Sequence, residues 1–272
     1  MSLEDHAGDI VFKARKALGI SLGEVATAGS VTEDALEAFE EDGKAPAAMR
    51  WNAVAERLGL DPAKLKAVAE GWEPAPVELS RWRELRMITT EQGMAVNCFL
   101  AWDPETREAA LFDTGWDARP VLQLAEDNDL VLTDLFVTHS HGDHIADIRG
   151  VRQRFPDIRL HSGMEAAPAA QRVSQGEVFG VGRLEVTARL TPGHADDGVT
   201  YVVDGFPGGA PGAAVVGDVI FAGSMGGHHR SPELARSKAR EEILSLPETT
   251  LVCPGHGPLC TVREANDWIP FL

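Results

Sequence analysis

The chain has 272 residues, with 44% hydrophobic and 25% charged side chains, a composition typical of a globular protein with a substantial core. Its formal net charge of −17 argues against nucleic acid as the main partner, because duplex binding depends on Lys and Arg that neutralise phosphates. No apolar run approaches the ~20 residues that a membrane span needs, and the N-terminus carries Glu4 and Asp5 before any hydrophobic stretch, unlike a signal peptide.

The first predicted elements are short helices within residues 10–72. Apolar side chains recur there at helical spacing, beginning with Ile10, Val11, Ala14 and Leu18. Residues typical of helix starts and helix ends interrupt this pattern. The starts are Ser21 and Asp61-Pro62, and the ends are Gly19, Gly43 and Gly59. We therefore expect a helical domain over residues 1–73.

The run KALGISLGEVATAGSVTEDALEAFEEDGKAP, continued by WNAVAERLGLDPAKLKAV, resembles the five-helix Cro/repressor-type helix-turn-helix domain. The resemblance covers residues 16–68 and includes the small Ala26 and the turn glycine Gly29. It implies DNA binding, in which the helix after the turn enters the major groove and contacts bases through Arg, Gln, Asn or Ser.

The residues of that helix oppose this function. The stretch 31–42 contains six acidic side chains and no Lys or Arg, and residues 1–75 carry eight Lys and Arg against fourteen Asp and Glu. DNA phosphates would repel such a surface. We therefore expect no specific DNA binding. We expect instead that the helical domain packs on the rest of the chain, or on a second subunit in a homodimer.

The segment GWEPAPVELS, residues 71–80, is the predicted linker, because two prolines interrupt the helical pattern. After it the apolar pattern becomes strand-like. The predicted strands are Met94–Ala101, Ala109–Phe112, Leu135–Thr138, Leu184–Leu190, Thr200–Val203, Ala213–Val216 and Leu251–Cys253. Predicted helices between them are Ala118–Glu126, His144–Arg154 and Ser231–Leu244. This alternation predicts a second domain over residues 80–272 with an α/β or α+β core.

The stretch VTHSHGDHIAD, residues 137–147, follows an apolar strand and concentrates side chains that can bind metals. His139 and His141 are two residues apart and can face the same side of an extended chain. Asp143 and His144 follow on the turn into a helix. One short loop can thus supply ligands to two neighbouring ions, and neutral imidazole and carboxylate suit zinc, iron(II) or manganese(II).

Three further segments place a candidate ligand after an apolar run: TPGHADDG with His194, VVGDVIF with Asp218 and LVCPGHGP with His256. Together with the H-x-H-x-D-H stretch they resemble the metallo-β-lactamase superfamily. The resemblance runs from residue 80 to residue 272. The fold class implied is α+β, an αββα sandwich preceded here by a small all-α N-terminal domain.

The same resemblance implies a ligand set for two metal ions. One ion would be held by His139, His141 and His194, and the other by Asp143, His144 and His256, with Asp218 bridging them. FDTG, residues 112–115, resembles the early D-x-G turn of the family. Asp113 would then be a carboxylate that orients a ligand imidazole.

The resemblance also implies the chemistry. The cofactors would be two divalent cations, with zinc expected and iron or manganese as alternatives. Two such ions ~3.5–4 Å apart activate water and polarise a carbonyl oxygen, which supports hydrolysis of esters, thioesters, lactones, amides or phosphodiesters. Asp143 is expected to act catalytically as well, by orienting the attacking water or taking its proton. The β-lactamases proper usually have a cysteine at the position of Asp218, so antibiotic cleavage is not expected.

Two segments resemble one branch of the superfamily. GDVIFAGSMGG, residues 217–227, and CPGHGPLCTVREANDWIPFL, residues 253–272, are similar to compact glyoxalase II-type hydrolases. The implied reaction is hydrolysis of a small-molecule S-acyl thioester such as S-lactoylglutathione. Long members of that branch add a C-terminal helical domain that helps to hold glutathione, whereas only residues 257–272 follow His256 here. Specificity for glutathione is therefore not implied.

Three alternatives stay open on the sequence. A lactonase or esterase of the same fold would use the same site. A mononuclear iron persulfide dioxygenase would use the first histidines with a single metal. A transcription regulator whose metallo-domain senses a ligand is a different class, and the acidic stretch 31–42 argues against it.

Three smaller features carry expectations of their own. Asp196 and Asp197 are expected to cap a turn, with shaping of the substrate mouth as the alternative. His228 and His229 are expected to be surface residues of a glycine-hinged loop, with substrate contact as the alternative. The cysteines lack metal-type spacing and are typical of thiols in a reducing compartment, so a cytoplasmic location is expected. They are Cys98, Cys253 and Cys260.

Overall fold

The computed structural model describes residues 1–227 and 231–272 of the chain, and its first part contains the five expected helices. They are α1 (Ala7–Leu18), α2 (Leu22–Gly29), α3 (Glu33–Asp42), α4 (Trp51–Leu58) and α5 (Pro62–Ala69). The predicted starts and ends are confirmed. The side chains of Ser21 and Asp61 cap α2 and α5. Gly19, Gly43 and Gly59 follow α1, α3 and α4 with positive φ.

The rest of the described chain is built on two sheets. The first has the strand order β1-β2-β3-β4-β5, antiparallel from β1 to β3 and parallel from β3 to β5. Its strands are β1 (Leu85–Glu91), β2 (Ala95–Trp102), β3 (Glu108–Phe112), β4 (Val131–Phe136) and β5 (Arg159–His161).

The second sheet has the order β13-β12-β9-β8-β7-β6, with β9 and β12 as parallel neighbours. Its strands are β6 (Val178–Val181), β7 (Leu184–Leu190), β8 (Val199–Asp204), β9 (Ala213–Gly217), β12 (Leu251–Pro254) and β13 (Cys260–Thr261). A separate short hairpin follows β9. Its strands are β10 (Ile220–Phe221) and β11 (Ser224–Met225).

The two sheets face each other across a central core. Because successive side chains of a strand point to opposite faces, Phe99 and Ala101 of β2 enter this core while Leu100 faces the helices outside. The outer helices of the first sheet are α6 (Arg119–Asp127), α7 (Gly142–Ile145) and α8 (Ile148–Arg154). Those of the second sheet are α9 (Pro232–Lys238), a π-helical turn (Ala239–Leu244) and α10 (Val262–Trp268). The predicted αββα sandwich with an N-terminal helical region is confirmed.

Most predicted elements agree with the structure to within one residue at each end, and the helix predicted over Ser231–Leu244 consists of α9 and the π-helical turn. Two predicted elements differ more. The single helix predicted over His144–Arg154 is wrong, because Asp147 interrupts it. The Asp147 carboxylate accepts hydrogen bonds from the amides of Gly150 and Ala118, so it starts α8 and ties it to α6. The predicted strand Leu135–Thr138 begins four residues earlier, as β4, and its last two residues lie in the loop instead.

The N-terminal helices share one hydrophobic core with the second sheet and its outer helices. Ile10 of α1 and Val216 of β9 are buried in the same cluster. Beyond α5, Trp72 stacks on Trp268 of α10, with ring centroids 5.3 Å apart. The expectation that the helical region packs on the rest of the chain is therefore confirmed.

Among the described residues, no helix has the length and apolarity needed to cross a membrane.

All three cysteines are free and buried. Burial raises the pKa of the Cys98 thiol to about 12, so this side chain is unreactive at neutral pH.

Candidate metal centre

The predicted ligands come together where strands of both sheets end. His139 and His141 lie in the loop after β4, and His194 follows β7. Asp218 directly follows β9, and His256 lies just after β12. Because β9 and β12 are parallel neighbours, Asp218 and His256 leave the sheet side by side.

The first group of side chains consists of His139, His141, His194 and Asp218, each of which offers a ligand atom within 4.8 Å of the others. His141 Nδ1 lies 3.0 Å from His139 Nε2 and 2.9 Å from His194 Nε2. Two nitrogens bound to one tetrahedral zinc ion lie about 3.3 Å apart, given Zn–N bonds of about 2.0–2.1 Å. The spacing of the three imidazoles therefore fits a single ion.

The second group consists of Asp143, His144 and His256. Asp143 Oδ2 lies 3.2 Å from His256 Nε2 and 3.6 Å from His144 Nε2. Both imidazoles are almost completely buried, with His144 at 0% exposure. The segment after β4, a loop followed by α7, thus contributes to both groups, as its spacing predicted.

Asp218 lies between the two groups. Its Oδ2 is 3.5 Å from His194 Nε2 and 3.9 Å from His139 Nε2 in the first group. In the second group, Oδ2 is 3.4 Å from His256 Nε2, and Oδ1 is 3.3 Å from His144 Nε2. A carboxylate in this position can contact ions on both sides, which is the role that the family resemblance implies for Asp218.

Asp113 orients two of these imidazoles, one directly and one through Thr138. Its Oδ2 lies 2.7 Å from His144 Nδ1 and accepts a hydrogen bond from the Thr138 hydroxyl at 2.7 Å. That hydroxyl oxygen in turn lies 3.1 Å from His139 Nδ1. The predicted contact between Asp113 and a ligand imidazole, in which the carboxylate accepts from the ring N–H, is confirmed. The relay through Thr138 was not predicted, because a Thr beside a His is not a specific signal.

Backbone carbonyls orient two further imidazoles, those of His194 and His256, whose Nε2 atoms face the centre. His194 Nδ1 lies 2.8 Å from the Gly227 carbonyl oxygen, and His256 Nδ1 lies 2.6 Å from that of Ala95. An Nδ1 that donates a proton to oxygen leaves the Nε2 lone pair directed toward the centre. The hydrogen bonds therefore favour the tautomer that a metal ligand needs.

Two buried polar atoms support a bound cation. Among the described residues, His144 Nε2 and Asp218 Oδ1 are buried without a hydrogen-bond partner, although they lie 3.3 Å apart. Leaving a buried polar atom unsatisfied costs about 1–3 kcal/mol, so two of them at one point require a partner. Imidazole nitrogen and carboxylate oxygen together are a donor set that suits a divalent transition metal. The residues present thus fit such an ion.

Burial alone would lower the pKa of His144 and His256, but the carboxylates around them outweigh it and raise these pKa values to about 10 and about 11. A bound cation would therefore replace a proton on each imidazole. Two other side chains have charge states that suit ligation directly. Burial lowers the pKa of His139 to about 2, so its imidazole is neutral at pH 7. Burial alone would raise the pKa of Asp218, but the adjacent imidazoles of His144 and His256 outweigh it and hold that pKa well below its ordinary value. Asp218 is therefore a carboxylate at neutral pH.

An open cleft of about 570 Å³ lies beside His141 and His194. Its other lining residues are Ser140, Met164, Glu165, Ala166, Gly193, Ala195, Asp196 and Asp197. Asp196 and Asp197, for which turn capping was expected and a place at the substrate mouth was the alternative, both line this cleft. His228 and His229, for which substrate contact was the alternative, lie outside the described residues.

Comparison with known proteins identifies relatives of the sandwich. The model of the family described as the metallo-beta-lactamase superfamily matches residues 92–256. The hydroxyacylglutathione hydrolase of Xanthomonas euvesicatoria pv. vesicatoria is 33% identical over 150 residues, which are 54% of this chain and 56% of that protein. The hydroxyacylglutathione hydrolase GloC of Haemophilus influenzae is 28% identical over 65% of this chain and 92% of its own length. The chain thus spans little more than half the length of the Xanthomonas relative.

Two solved structures are similar over the same region. The BLEG-1 B3 metallo-beta-lactamase is 26% identical with a TM-score of 0.59, over 69% of this chain and 99% of its own. ETHE1 from Myxococcus xanthus is also 26% identical with a TM-score of 0.59, over 68% of this chain and 83% of its own. The family match begins at residue 92, so it does not include the N-terminal helical region.

Proposed function

The chain belongs to the metallo-beta-lactamase superfamily, and on that premise we propose that it is a metal-dependent hydrolase that cleaves a thioester. The observation that carries this proposal is the convergence of seven ligating side chains in two groups, with Asp218 facing both. Relatives named hydroxyacylglutathione hydrolase support the thioester as the substrate class. The acyl and thiol groups of the substrate are left open.

The proposed ligands divide between two divalent ions. His139, His141 and His194 would hold one ion, Asp143, His144 and His256 would hold the other, and Asp218 would contact both. When bound, two such ions supply Lewis acidity that lowers the pKa of water and polarises the substrate carbonyl. Zinc is the ion we expect, with iron or manganese as alternatives.

Asp143 is proposed to take the proton of the attacking water. Its side chain is 13% exposed, so it faces both the centre and the solvent. Burial alone would raise its pKa, but a hydrogen bond with His256 outweighs this and lowers the pKa below its ordinary value. The group is therefore a carboxylate at neutral pH and can accept a proton.

The cleft beside His141 and His194 is proposed to receive the substrate. Its volume lies within the range of about 300–1,000 Å³ that small-molecule sites usually have. Attack on the thioester carbonyl forms a carbon–oxygen bond and breaks the carbon–sulfur bond, which yields an acid and a thiol. Because a thiol has a pKa near 8.5, it leaves as a thiolate without prior protonation. A site with a base but no strong acid can therefore complete this reaction.

A substrate panel tests the proposal. Full-length protein is loaded with zinc, and thiol release is measured for S-lactoylglutathione and for an S-acyl thioester that lacks glutathione. A lactone and a chromogenic β-lactam are assayed in parallel. We expect a thioester to give the highest kcat/KM, by ~10-fold or more. Turnover of the lactone or the β-lactam without thioester cleavage would refute the proposed substrate class.

Elemental analysis of the protein as purified, before zinc is added, tests the remaining alternative, a mononuclear iron persulfide dioxygenase. The proposal requires two metal ions per chain. One iron per chain, together with oxygen uptake in the presence of a persulfide, would instead indicate the mononuclear dioxygenase.

A further inference from the structure

The β10–β11 hairpin fixes two groups of the candidate metal centre. Asp218 lies just before it, and the Gly227 carbonyl just after it accepts the hydrogen bond from His194 Nδ1 at 2.8 Å. Between the hairpin and the centre, Gly226 is packed without space for a side chain. A Cβ there would lie 2.0 Å from the Asp218 carbonyl oxygen and 2.8 Å from His194 Nδ1. The position of the hairpin therefore sets the geometry of Asp218 and His194.

The N-terminal region holds this hairpin from the opposite side. The Asp5 carboxylate is only 5% exposed and accepts hydrogen bonds from Ser224 Oγ and Lys13 Nζ, both at 2.5 Å. Lys13 Nζ also donates to the Met225 carbonyl at 3.2 Å and lies 5.3 Å from the centroid of the Phe221 ring. We call these contacts of Asp5 and Lys13 the N-terminal clamp.

The same segment reaches the loop of His256. The backbone of Glu4 covers Gly257, so that a Cβ at Gly257 would lie 2.9 Å from the Glu4 amide nitrogen. The Phe221 ring, which Lys13 contacts, lies 5.8 Å from the His256 ring in an edge-on arrangement. Residues 4–13 therefore touch the segments that carry both Asp218 and His256.

A hairpin of two-residue strands is not stable by itself, so its position depends on what packs against it. Here the packing is an ion pair with hydrogen bonds, which is directional, rather than apolar contact alone. Buried charges keep such a geometry because the loss of one partner leaves the other unsatisfied. The clamp can thus restrict the hairpin to one position relative to His194.

We propose that the N-terminal helical region is part of the metal centre, with Asp5 and Lys13 as positioning residues that hold Asp218 and the Gly227 carbonyl in the geometry that binds metal. The inference rests on the proposed function only in that the centre must bind a divalent ion. It gives the helical region a role in the hydrolase that does not involve DNA.

The test compares variants of the full-length protein. Asp5→Asn and Lys13→Met remove the two charges of the clamp, and Lys13→Arg retains the cation. The matched control is Arg57→Met, which breaks the 2.6 Å ion pair of Arg57 with Glu24 between α4 and α2, in the same helical region. Zinc affinity is measured by competition with a chromophoric chelator. The visible spectrum of the cobalt(II) form and the melting temperature without metal are recorded alongside.

We expect Asp5→Asn and Lys13→Met to weaken zinc binding by about 10–100-fold, the usual effect of removing a group that orients a ligand, and to change the cobalt spectrum. Lys13→Arg should restore most of the affinity, and Arg57→Met should leave both readouts unchanged. Ser224→Ala, which removes the hydroxyl that donates to Asp5 but leaves both charges of the clamp in place, should act in the same direction with a smaller effect. This variant serves if the charge variants do not fold.

Unchanged zinc affinity and cobalt spectra in the clamp variants would show that the clamp only stabilises the fold, and the inference would be wrong. Zinc binding by the wild type without thioester cleavage would remove the proposed substrate and leave the inference intact. A wild type that binds no divalent metal would overturn both.

Discussion

At the scale of single residues, Asp113 supports both ligand groups of the candidate metal centre. Its φ of 58° lies in the left-handed region, which few residues other than glycine adopt and which Asp tolerates better than most. In this conformation Asp113 Oδ1 accepts a hydrogen bond from the Thr138 amide. Asp113 Oδ2 contacts both the Thr138 hydroxyl and the His144 imidazole. One carboxylate therefore orients an imidazole of each proposed metal site.

Asp113→Asn should lower the affinity for zinc by about 10–100-fold, because the amide keeps the shape but can no longer hold both imidazoles in one tautomer. Competition with a chelator measures this affinity. The matched control is Asp134→Asn, since Asp134 is also a buried carboxylate that contacts an imidazole, His161, at 2.7 Å but lies outside the centre. Equal losses of zinc affinity in the two variants would indicate a general loss of stability instead.

Asp143→Asn should fold normally, bind the second ion more weakly and lose at least ~10²-fold in kcat, the usual scale for removing a general base. Asparagine keeps the shape and one oxygen donor, but it removes the negative charge. Asp147→Asn is the control, because Asp147 lies in the same loop and its role is to accept amide hydrogen bonds. If Asp143→Asn left metal content and rate unchanged, Asp143 would only be a turn residue.

At the scale of elements, the sequence predicts strands whose apolar residues are continuous or alternate regularly and misses strands at the edges of sheets. β7, in which apolar and polar residues alternate, matches its predicted bounds, Leu184–Leu190. β1 and β6 are edge strands and were not predicted. β1 ends in the polar run Thr89, Thr90 and Glu91, because part of an edge strand faces solvent, and this weakens the apolar signal.

In the candidate metal centre, too, local sequence motifs indicate some groups, whereas contacts between residues distant in the chain could not be predicted. Its seven proposed ligands could be named because His and Asp occur in short motifs after apolar runs, and because the order of these motifs resembles that of the superfamily. The carbonyls of Ala95 and Gly227 could not, since any residue provides a carbonyl. The contact of Asp5 with Ser224 joins residues 219 positions apart, and no local pattern indicates it.

Helix α3 is the element that a DNA-binding domain of the resembled type would place in the major groove. Its exposed face carries Glu33, Asp34, Glu37 and Glu41. We therefore predict no sequence-specific DNA binding by the full-length protein, as measured by gel shift with genomic fragments at low and moderate salt. A shift that selects particular sequences and weakens with salt would contradict this prediction.

An ion pair joins the turns of the two sheets. Asp103, after β2, is 1% exposed, and Arg183, between β6 and β7, lies 2.7 Å from it. The hydrogen bonds from Arg183 lower the pKa of Asp103 to about 2, whereas an unfolded Asp has a pKa near 3.9. The folded state therefore binds the proton less well than the unfolded state. The resulting stability is present above about pH 4 and is lost as the pH falls toward 2.

Asp103→Asn should accordingly lower the free energy of unfolding by about 1 kcal/mol at pH 7, allowing for the exposure of Arg183 to solvent. The difference from the wild type should shrink between pH 4 and pH 2. Urea unfolding at several pH values measures it. Asp117→Asn, in an ion pair with the exposed Arg119, is the control and should change little. A difference that is constant with pH would contradict the assignment to the Asp103 carboxylate.

At the scale of the whole molecule, the helical region and the sandwich are joined by one core rather than by a linker alone. The buried cluster that contains Ile10 and Leu36 also contains Val216, Met225 and Ile269. Predicted boundaries at residues 73 and 80 follow the change of sequence pattern, but they do not mark a break in packing. We therefore propose that residues 1–73 and 80–272 differ in architecture and act as one unit at the metal centre.

This unit should be stabilised by the ion that it binds. A ligand at a thousand times its dissociation constant adds about 4 kcal/mol to the stability of the folded state, which for a chain of this size raises the melting temperature by on the order of 10 °C. We expect zinc to raise the melting temperature of the wild type by about this amount and a chelator to reverse it. In His139→Ala, which removes one proposed ligand, the shift should be much smaller and turnover should be lost. His161→Asn removes a buried imidazole outside the centre and should melt at a lower temperature, yet keep the full shift with zinc. If His139→Ala and His161→Asn responded equally to zinc, the stabilising ion would bind elsewhere, and the proposed assignment of His139 would be wrong.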